Sequence, residues 1–162
     1  MTVILGIDCG LEGGIAALLI REDGGCSVEA ISVPTLGEKA KRRVDVGETV
    51  RFIKRVAPMH AFIERSQAMP KQGSSSGFIY GRAVGALEAC VGVLLIPHTI
   101  IEASVWKRTL GLVKAGKEDS RLRALQLFPG TKAFERKKDH NRAEAALIAW
   151  YGWRHVGTKR AA

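Results

Sequence analysis

Three acidic residues stand where a catalytic site could form. Asp8 and Glu64 each end a short apolar run typical of a buried strand, and Glu144 lies in an alanine-rich segment near the end of the chain. An acid at the end of a buried strand is costly unless a positive group compensates it. Carboxylates suit Mg²⁺ and Mn²⁺, and two such ions about 3.5–4 Å apart can activate a water and stabilise the leaving oxygen of a phosphodiester. The three acids therefore predict a metal-dependent hydrolytic site, provided that the fold brings them together.

A fourth ligand is expected beside Glu144. His140 precedes it by four residues, and positions four apart share a helix face, so His140 is the first candidate. Asp139 is the alternative, and it converges on Glu144 only if the helix begins after it. The residues alone leave this choice open.

The charge of the chain points to a polyanionic partner. There are 25 Lys and Arg against 16 Asp and Glu, which gives a formal net charge of +9 over 162 residues. Such a surplus favours nucleic acid or an acidic membrane face. The hydrophobic fraction of 46% is that of a protein with a buried core, which excludes a disordered chain, and the length predicts one domain.

The cysteines and the first residues bear on the compartment. Cys9, Cys26 and Cys90 are too few and too scattered for a disulfide framework or a zinc site. The first ten residues lack the basic segment of a secretory leader, and no stretch approaches the ~20 apolar residues of a membrane span. We therefore expect a cytoplasmic protein.

The elements that must position the acids follow from the apolar runs and the glycines between them. Predicted strands cover residues 2–7, 13–20, 26–33, 60–63 and 93–97 or somewhat beyond. Predicted helices cover residues 45–56, 76–93, 105–110, 117–128 and 141–154. Residues 36–43 are predicted to form a basic loop. Three meandering strands followed by alternating helices and strands predict a mixed α/β sheet covered by helices, whose strand order the pattern does not give.

Several motifs, in this order and spacing, resemble the RuvC-type Holliday-junction resolvases of the ribonuclease H-like superfamily. The segments that carry the likeness are Gly6-Ile7-Asp8-Cys9-Gly10, FIERSQAMP at 62–70, GSSSGFIYGRAVG at 73–85, Trp106-Lys107, Leu127-Phe128-Pro129 and Arg142-Ala143-Glu144-Ala145. Together they extend over nearly the whole chain, to about Tyr151. Two departures are that Cys9 stands where proline is usual and that Glu144 stands where many relatives carry Asp.

The resemblance implies a ribonuclease H-like, five-stranded mixed sheet flanked by helices, spanning residues 1–155 as one nuclease domain, with 156–162 as a frayed tail. It implies a homodimer that nicks two strands of a four-way DNA junction symmetrically, using Mg²⁺ or Mn²⁺, with two ions per site. Asp8, Glu64 and Glu144 match the family's acids. His140, Asn141 and Asp139 all lie near the place of the fourth ligand, and some relatives use a histidine there, which favours His140.

Clusters of Lys and Arg that could surround the three acids are predicted to contact DNA. Contacts with phosphates supply most of a protein's affinity for DNA. The basic residues expected to bind DNA are Lys39, Lys41, Arg42, Arg43, Arg65, Lys71, Arg82, Lys107, Lys137, Lys138 and Arg142. Ser74 and Ser75 are expected to donate to a phosphate at a helix N-terminus, and Met69 or Phe78 to act as an apolar wedge at the branch point.

Small residues recur every four positions along the helix after Glu64, at Gly77, Gly81, Gly85 and Ala89. This stripe permits another backbone to approach closely, either the sheet beneath or the same helix of a dimer partner. Two other functions remain open on the sequence. One is a broader branched-DNA or RNA/DNA-hybrid nuclease, and the other is a junction-binding protein without catalysis.

Overall fold

A meander of three antiparallel strands forms one half of the sheet. The computed structural model describes residues 1–67 and 73–156. Strands β1 (Thr2–Asp8), β2 (Gly14–Ile20) and β3 (Cys26–Ser32) pair in sequence order, each over its full length. Between Thr2 and Asp8 at its ends β1 is apolar, and β2 is apolar along its length, because both faces of these strands are covered.

A short hairpin and a helix follow the meander. Strands β4 (Thr35–Leu36) and β5 (Arg43–Val44) pair antiparallel and enclose a 3-10 turn at Lys39–Lys41, so the predicted basic loop contains a hairpin. Helix α1 (Val46–Val56) begins as predicted at Asp45, whose Oδ1 accepts a hydrogen bond from the amide of Glu48 at 2.9 Å.

The other half of the sheet is parallel. Strand β6 (His60–Glu64) pairs with β1, helix α2 (Ser74–Val93) crosses over, and β7 (His98–Ile101) pairs with β6. The resulting sheet has the order β3-β2-β1-β6-β7, which confirms the predicted five-stranded mixed sheet.

The fifth strand, predicted at 93–97 or somewhat beyond, lies beyond residue 97, at His98–Ile101. Helix α2 continues through Val93, and Leu95 then adopts a positive φ of 54°, which turns the chain before the strand begins. Pro97 has no N–H for the ladder, so only its carbonyl takes part, accepting from the amide of Ala61 at 2.9 Å.

Three helices complete the chain: α3 (Ala103–Thr109), α4 (Lys117–Leu127) and α5 (His140–Val156), with a 3-10 turn at Lys137–Asp139 before α5. Among the described residues, no helix combines the length and the apolar character that crossing a bilayer requires. From residue 157 on, the predicted tail lies outside the described residues.

The core has two layers because side chains alternate along each strand. Leu5, Ile7 and Ile63 face the side covered by α1 and α2. Ile4 and Phe62 face the other side, where α5 packs with α3 and α4. This alternation also decides which way the acids at the strand ends point.

Candidate functional site

Asp8 and Glu64 end neighbouring strands. Strands β1 and β6 run parallel with Ile7 opposite Ile63, so the two acids leave the same edge of the sheet side by side. Because side chains two apart share a face, Asp8 lies on the face of Gly6, and Glu64 lies on the face of Phe62. Both acids therefore belong to the face that α5 covers.

Glu144 reaches this edge because α5 lies unusually close to the sheet. A Cβ added at Gly6 would stand 2.1 Å from the carbonyl oxygen of Ala145. A Cβ at Gly14 would stand 2.4 Å from the carbonyl oxygen of Asn141. As a result, Asp8, Asn141 and Glu144 line one cavity of about 400 Å³.

Glu64 is held from the side by helix α3. Its Oε2 accepts a hydrogen bond from the indole Nε1 of Trp106 at 2.7 Å. Burial raises the pKa of Glu64, and the charge of Glu144 raises it further, while the indole and the ammonium of Lys107 lower it. The charge of Glu144 on α5 therefore acts on Glu64 of β6.

Glu144 has two partners of its own, and only 13% of its side chain is exposed. Its Oε1 accepts a hydrogen bond from the hydroxyl of Ser120 on α4 at 3.0 Å. The Nζ of Lys107 lies 3.5 Å from the same oxygen and 5.1 Å from the centre of the Trp106 ring. Lys107 thus supplies the positive charge that a cluster of half-buried acids requires.

Tyr80 on α2 stands between two parts of the site. It lines the cavity of Asp8 and Glu144 and also a second cavity of about 420 Å³ that includes Glu64. Its hydroxyl donates to Ser66 at 3.1 Å. Burial raises the pKa of Tyr80, and the charges of Asp8 and Glu64 add to that effect. The two strand-end acids are therefore both near this phenol.

The thiol of Cys9, next to Asp8, is buried. Burial raises the pKa of Cys9 to about 12, against a hydrogen bond with Ser66 that lowers it. A coordinating cysteine must be a thiolate, so Cys9 contributes packing at the site rather than charge.

The predicted fourth ligands lie at the start of α5. Asp139 is buried and forms ion pairs with Arg136, at 3.0 Å, and with Arg142. Burial opposes its charged form, but these two guanidinium groups prevail and lower the pKa of Asp139 to about 2. The Nδ1 of His140 lies 3.2 Å from the carbonyl oxygen of Lys137. Of the described residues, those lining the acid cavity include Asn141 but neither His140 nor Asp139, whose roles as ligands stay predictions.

The oxygen donors of the site fit Mg²⁺ or Mn²⁺. Within residues 1–67 and 73–156, no three His, Cys, Asp or Glu side chains already surround one point. Mg²⁺ is usually bound by one or two carboxylates, with waters and substrate phosphates completing its shell, so a ready-made protein cage is not required. Here Asp8 and Glu144 line one cavity beside Tyr80, and Glu64 lines the other. This arrangement agrees with an ion held by one or two carboxylates and completed by waters and phosphates.

The predicted DNA-binding residues divide into two groups. Those that form ion pairs with acids of the chain are Arg42 (with Glu12), Arg65 (with Glu102), Lys107 (with Glu144) and Arg142 (with Asp139). Those that are exposed and form no ion pair with an acid of the described residues are Lys39, Lys41, Arg43, Ser74, Ser75, Arg82, Lys137 and Lys138. Met69 and Lys71 lie outside the described residues.

Sequence reasoning missed three side chains that contact the site: Ser66, Tyr80 and Ser120. Ser66 and Tyr80 lie in the quoted segments 62–70 and 73–85, which gave them no role, and Ser120 lies outside every quoted segment. Trp106 and Lys107 did appear in the motif that resembles the resolvases, although the contacts of the indole with Glu64 and of Lys107 with Glu144 could not be derived from it.

Comparison with solved structures identifies the fold. The structure of Thermus thermophilus RuvC matches with a TM-score of 0.66 and 22% identity, covering 97% of this chain and 98% of that one. T. thermophilus RuvC in complex with a Holliday junction substrate matches with a TM-score of 0.68 and 20% identity over the same shares. The yeast mitochondrial Holliday junction resolvase Ydc2 matches with a TM-score of 0.56 and 16% identity, covering 98% of this chain and 82% of that one. No family model and no curated protein sequence matches. The chain therefore has the ribonuclease H-like fold of the RuvC resolvases.

Proposed function

We propose that this protein is a metal-dependent endonuclease that resolves four-way DNA junctions by paired, symmetric nicks. The observation that carries the proposal is that Asp8, Glu64 and Glu144, from three distant parts of the chain, come to one edge of the sheet. The similarity of the fold to a RuvC bound to a Holliday junction substrate supports branched DNA as the substrate.

The proposed metal ligands are Asp8, Glu64 and Glu144, with His140 or Asp139 as the predicted fourth. A bound divalent ion would make a water more acidic and stabilise the leaving oxygen of the phosphodiester. The ammonium of Lys107 lies 3.5 Å from Glu144, and its charge opposes the rise that burial causes in the pKa of Glu64. Tyr80 borders both cavities, and Ser76 at the start of α2 borders the cavity of Asp8 and Glu144.

The exposed basic residues would hold the DNA backbone over this acidic edge. Arg82 illustrates their placement, because it lines a cavity with Ser74 and Ser75 at the N-terminal end of α2. Phosphate contacts of this kind make affinity fall steeply with salt. We therefore expect junction binding to be strongest at low ionic strength.

A homodimer would supply two sites for two symmetric nicks. Helix α2 exposes Gly81, Gly85 and Ala89 in one stripe, beside Phe78, which is 70% exposed. A Cβ added at Gly81 or Gly85 would meet no atom within 4 Å in the described structure, so this stripe does not face the sheet. It is therefore the surface on which we place the partner copy. Light scattering that finds only monomer at micromolar concentration would count against the dimer.

The test of the function uses synthetic four-way, forked, hybrid and linear substrates, incubated with the protein and Mg²⁺, Mn²⁺ or EDTA. Paired nicks in the four-way junction that require the metal are expected. Equal cleavage of forks or hybrids would favour a broader nuclease. Metal-independent junction binding without cleavage of any substrate would favour a non-catalytic binding protein and would refute the proposed activity.

A further inference from the structure

A buried indole contacts one of the proposed metal ligands. Trp106 is fully buried on α3, among the apolar side chains between that helix, α4 and α5. A buried indole N–H needs an acceptor, and the acceptor here is Oε2 of Glu64, 2.7 Å from Nε1. The contact joins residues 42 positions apart, so the fold creates it rather than local sequence.

We propose that Trp106 is a positioning residue that orients the carboxylate of Glu64 for metal binding, an inference that rests on the proposed function. An indole N–H can only donate, so it engages one carboxylate oxygen and leaves the other free. Hydrogen bonds to the second atom of a ligating group fix that group's direction and tune its affinity for metal. The Glu64 side chain is long and flexible, whereas the ring that holds it is locked by the core.

The same ring supports the second acid indirectly. The ammonium of Lys107 lies 5.1 Å from the centre of the Trp106 ring and 3.5 Å from Oε1 of Glu144. Trp106 therefore makes two contacts at the site. Its N–H donates to Glu64, and its ring lies beneath the ammonium that pairs with Glu144. A purely structural role, in which Glu64 merely satisfies a buried N–H, would not require this second contact.

The test compares Trp106→Phe with Trp153→Phe. Phenylalanine keeps most of the apolar volume of Trp106 and removes the donor. Trp153 lies half-buried on α5, where it contacts Trp150 and Arg154, so it provides a control with the same substitution. Binding of Mn²⁺ is measured without DNA by electron paramagnetic resonance of the free ion, beside thermal unfolding of each variant.

Trp106→Phe is expected to weaken Mn²⁺ binding by about 10- to 100-fold, as loss of an outer partner of a metal ligand typically does, while Trp153→Phe leaves it unchanged. Unchanged Mn²⁺ affinity in folded Trp106→Phe, whatever its unfolding temperature, would overturn the positioning role. In that case the proposed function would still stand, provided that the wild type binds Mn²⁺ and cleaves junctions. A wild type that neither binds Mn²⁺ nor cleaves would overturn both.

A second measurement needs no variant at position 106. In ¹⁵N-labelled wild type, the three indole N–H signals are assigned with Trp150→Phe and Trp153→Phe. Titration with Mg²⁺ is expected to shift the Trp106 indole signal and to leave the other two in place, because only Trp106 donates to a proposed ligand. A Trp106 signal that stays fixed while Mg²⁺ activates cleavage would contradict the proposal.

Discussion

The close approach of α5 to the sheet makes Gly6→Ala a demanding test of how Glu144 is placed. The added Cβ would lie 2.1 Å from the carbonyl oxygen of Ala145 and 2.6 Å from the amide nitrogen of Ala149. Real Cβ contacts essentially never fall below 3.0 Å, so α5 must move away by about 1 Å. The obstacle is helix backbone, which has no side-chain rotamer to escape into.

The expected effects follow from that displacement. Overpacking a core costs about 1–3 kcal/mol, and a backbone clash belongs at the upper end. At about 3 kcal/mol, the melting temperature of a chain of this size falls by about 6–12 °C. Because Glu144 precedes Ala145, it moves with the helix, and a misplacement of about 1 Å can cost about 100-fold in rate.

The assay combines thermal unfolding by circular dichroism with single-turnover cleavage of a four-way junction. Gly47→Ala is the control, because its Cβ would meet Asp45 and Arg51 at ordinary contact distances in the first turn of α1. That change should stabilise the fold by about 0.5–1 kcal/mol and leave cleavage unchanged. If Gly6→Ala kept both the wild-type melting temperature and the wild-type rate, close packing of α5 would not be what positions Glu144.

Three further substitutions probe separate parts of the site. Ser120→Ala removes the donor to Glu144, so single-turnover cleavage should fall by about 10-fold while the junction still binds in a gel-shift assay. Arg142→Met leaves Asp139 with one fewer cation and should lower the melting temperature at pH 7. Since the pKa of Asp139 is depressed to about 2, that ion pair stabilises the fold above the ordinary pKa of 3.8, and the difference from wild type should vanish as the pH falls through about 2. Lys138→Gln should weaken junction binding at every sequence and reduce the slope of log affinity against log salt by about 1, whereas an unchanged slope would exclude a phosphate contact.

The strands and the positions of two acids could be predicted because they depend on local pattern. An apolar run that stops at Asp8 or Glu64 marks both a buried strand and its end, and the structure has β1 and β6 ending at those residues. The cap at Asp45 is equally local. The strand order could not be predicted, since pairing of β1 with both β2 and β6 depends on contacts across the whole chain.

The side chains that support the acids could not be predicted from periodicity. The hydrogen bonds of Trp106 with Glu64 and of Ser120 with Glu144 join residues 42 and 24 positions apart. The sequence also does not predict which side of α5 lines the cavity. Residues three and four before Glu144 both lie near it on a helix, and it is packing of α5 against the strands that brings Asn141 to the lining of the cavity.

Cleavage by the three acid variants tests the central claim most directly. Asp8→Asn, Glu64→Gln and Glu144→Gln each keep the size of the side chain and remove its charge. In single-turnover reactions with Mg²⁺ on a four-way junction, each is expected to lose cleavage while binding the junction as tightly as the wild type. Wild-type cleavage by any one of the three would contradict a site in which these carboxylates act together.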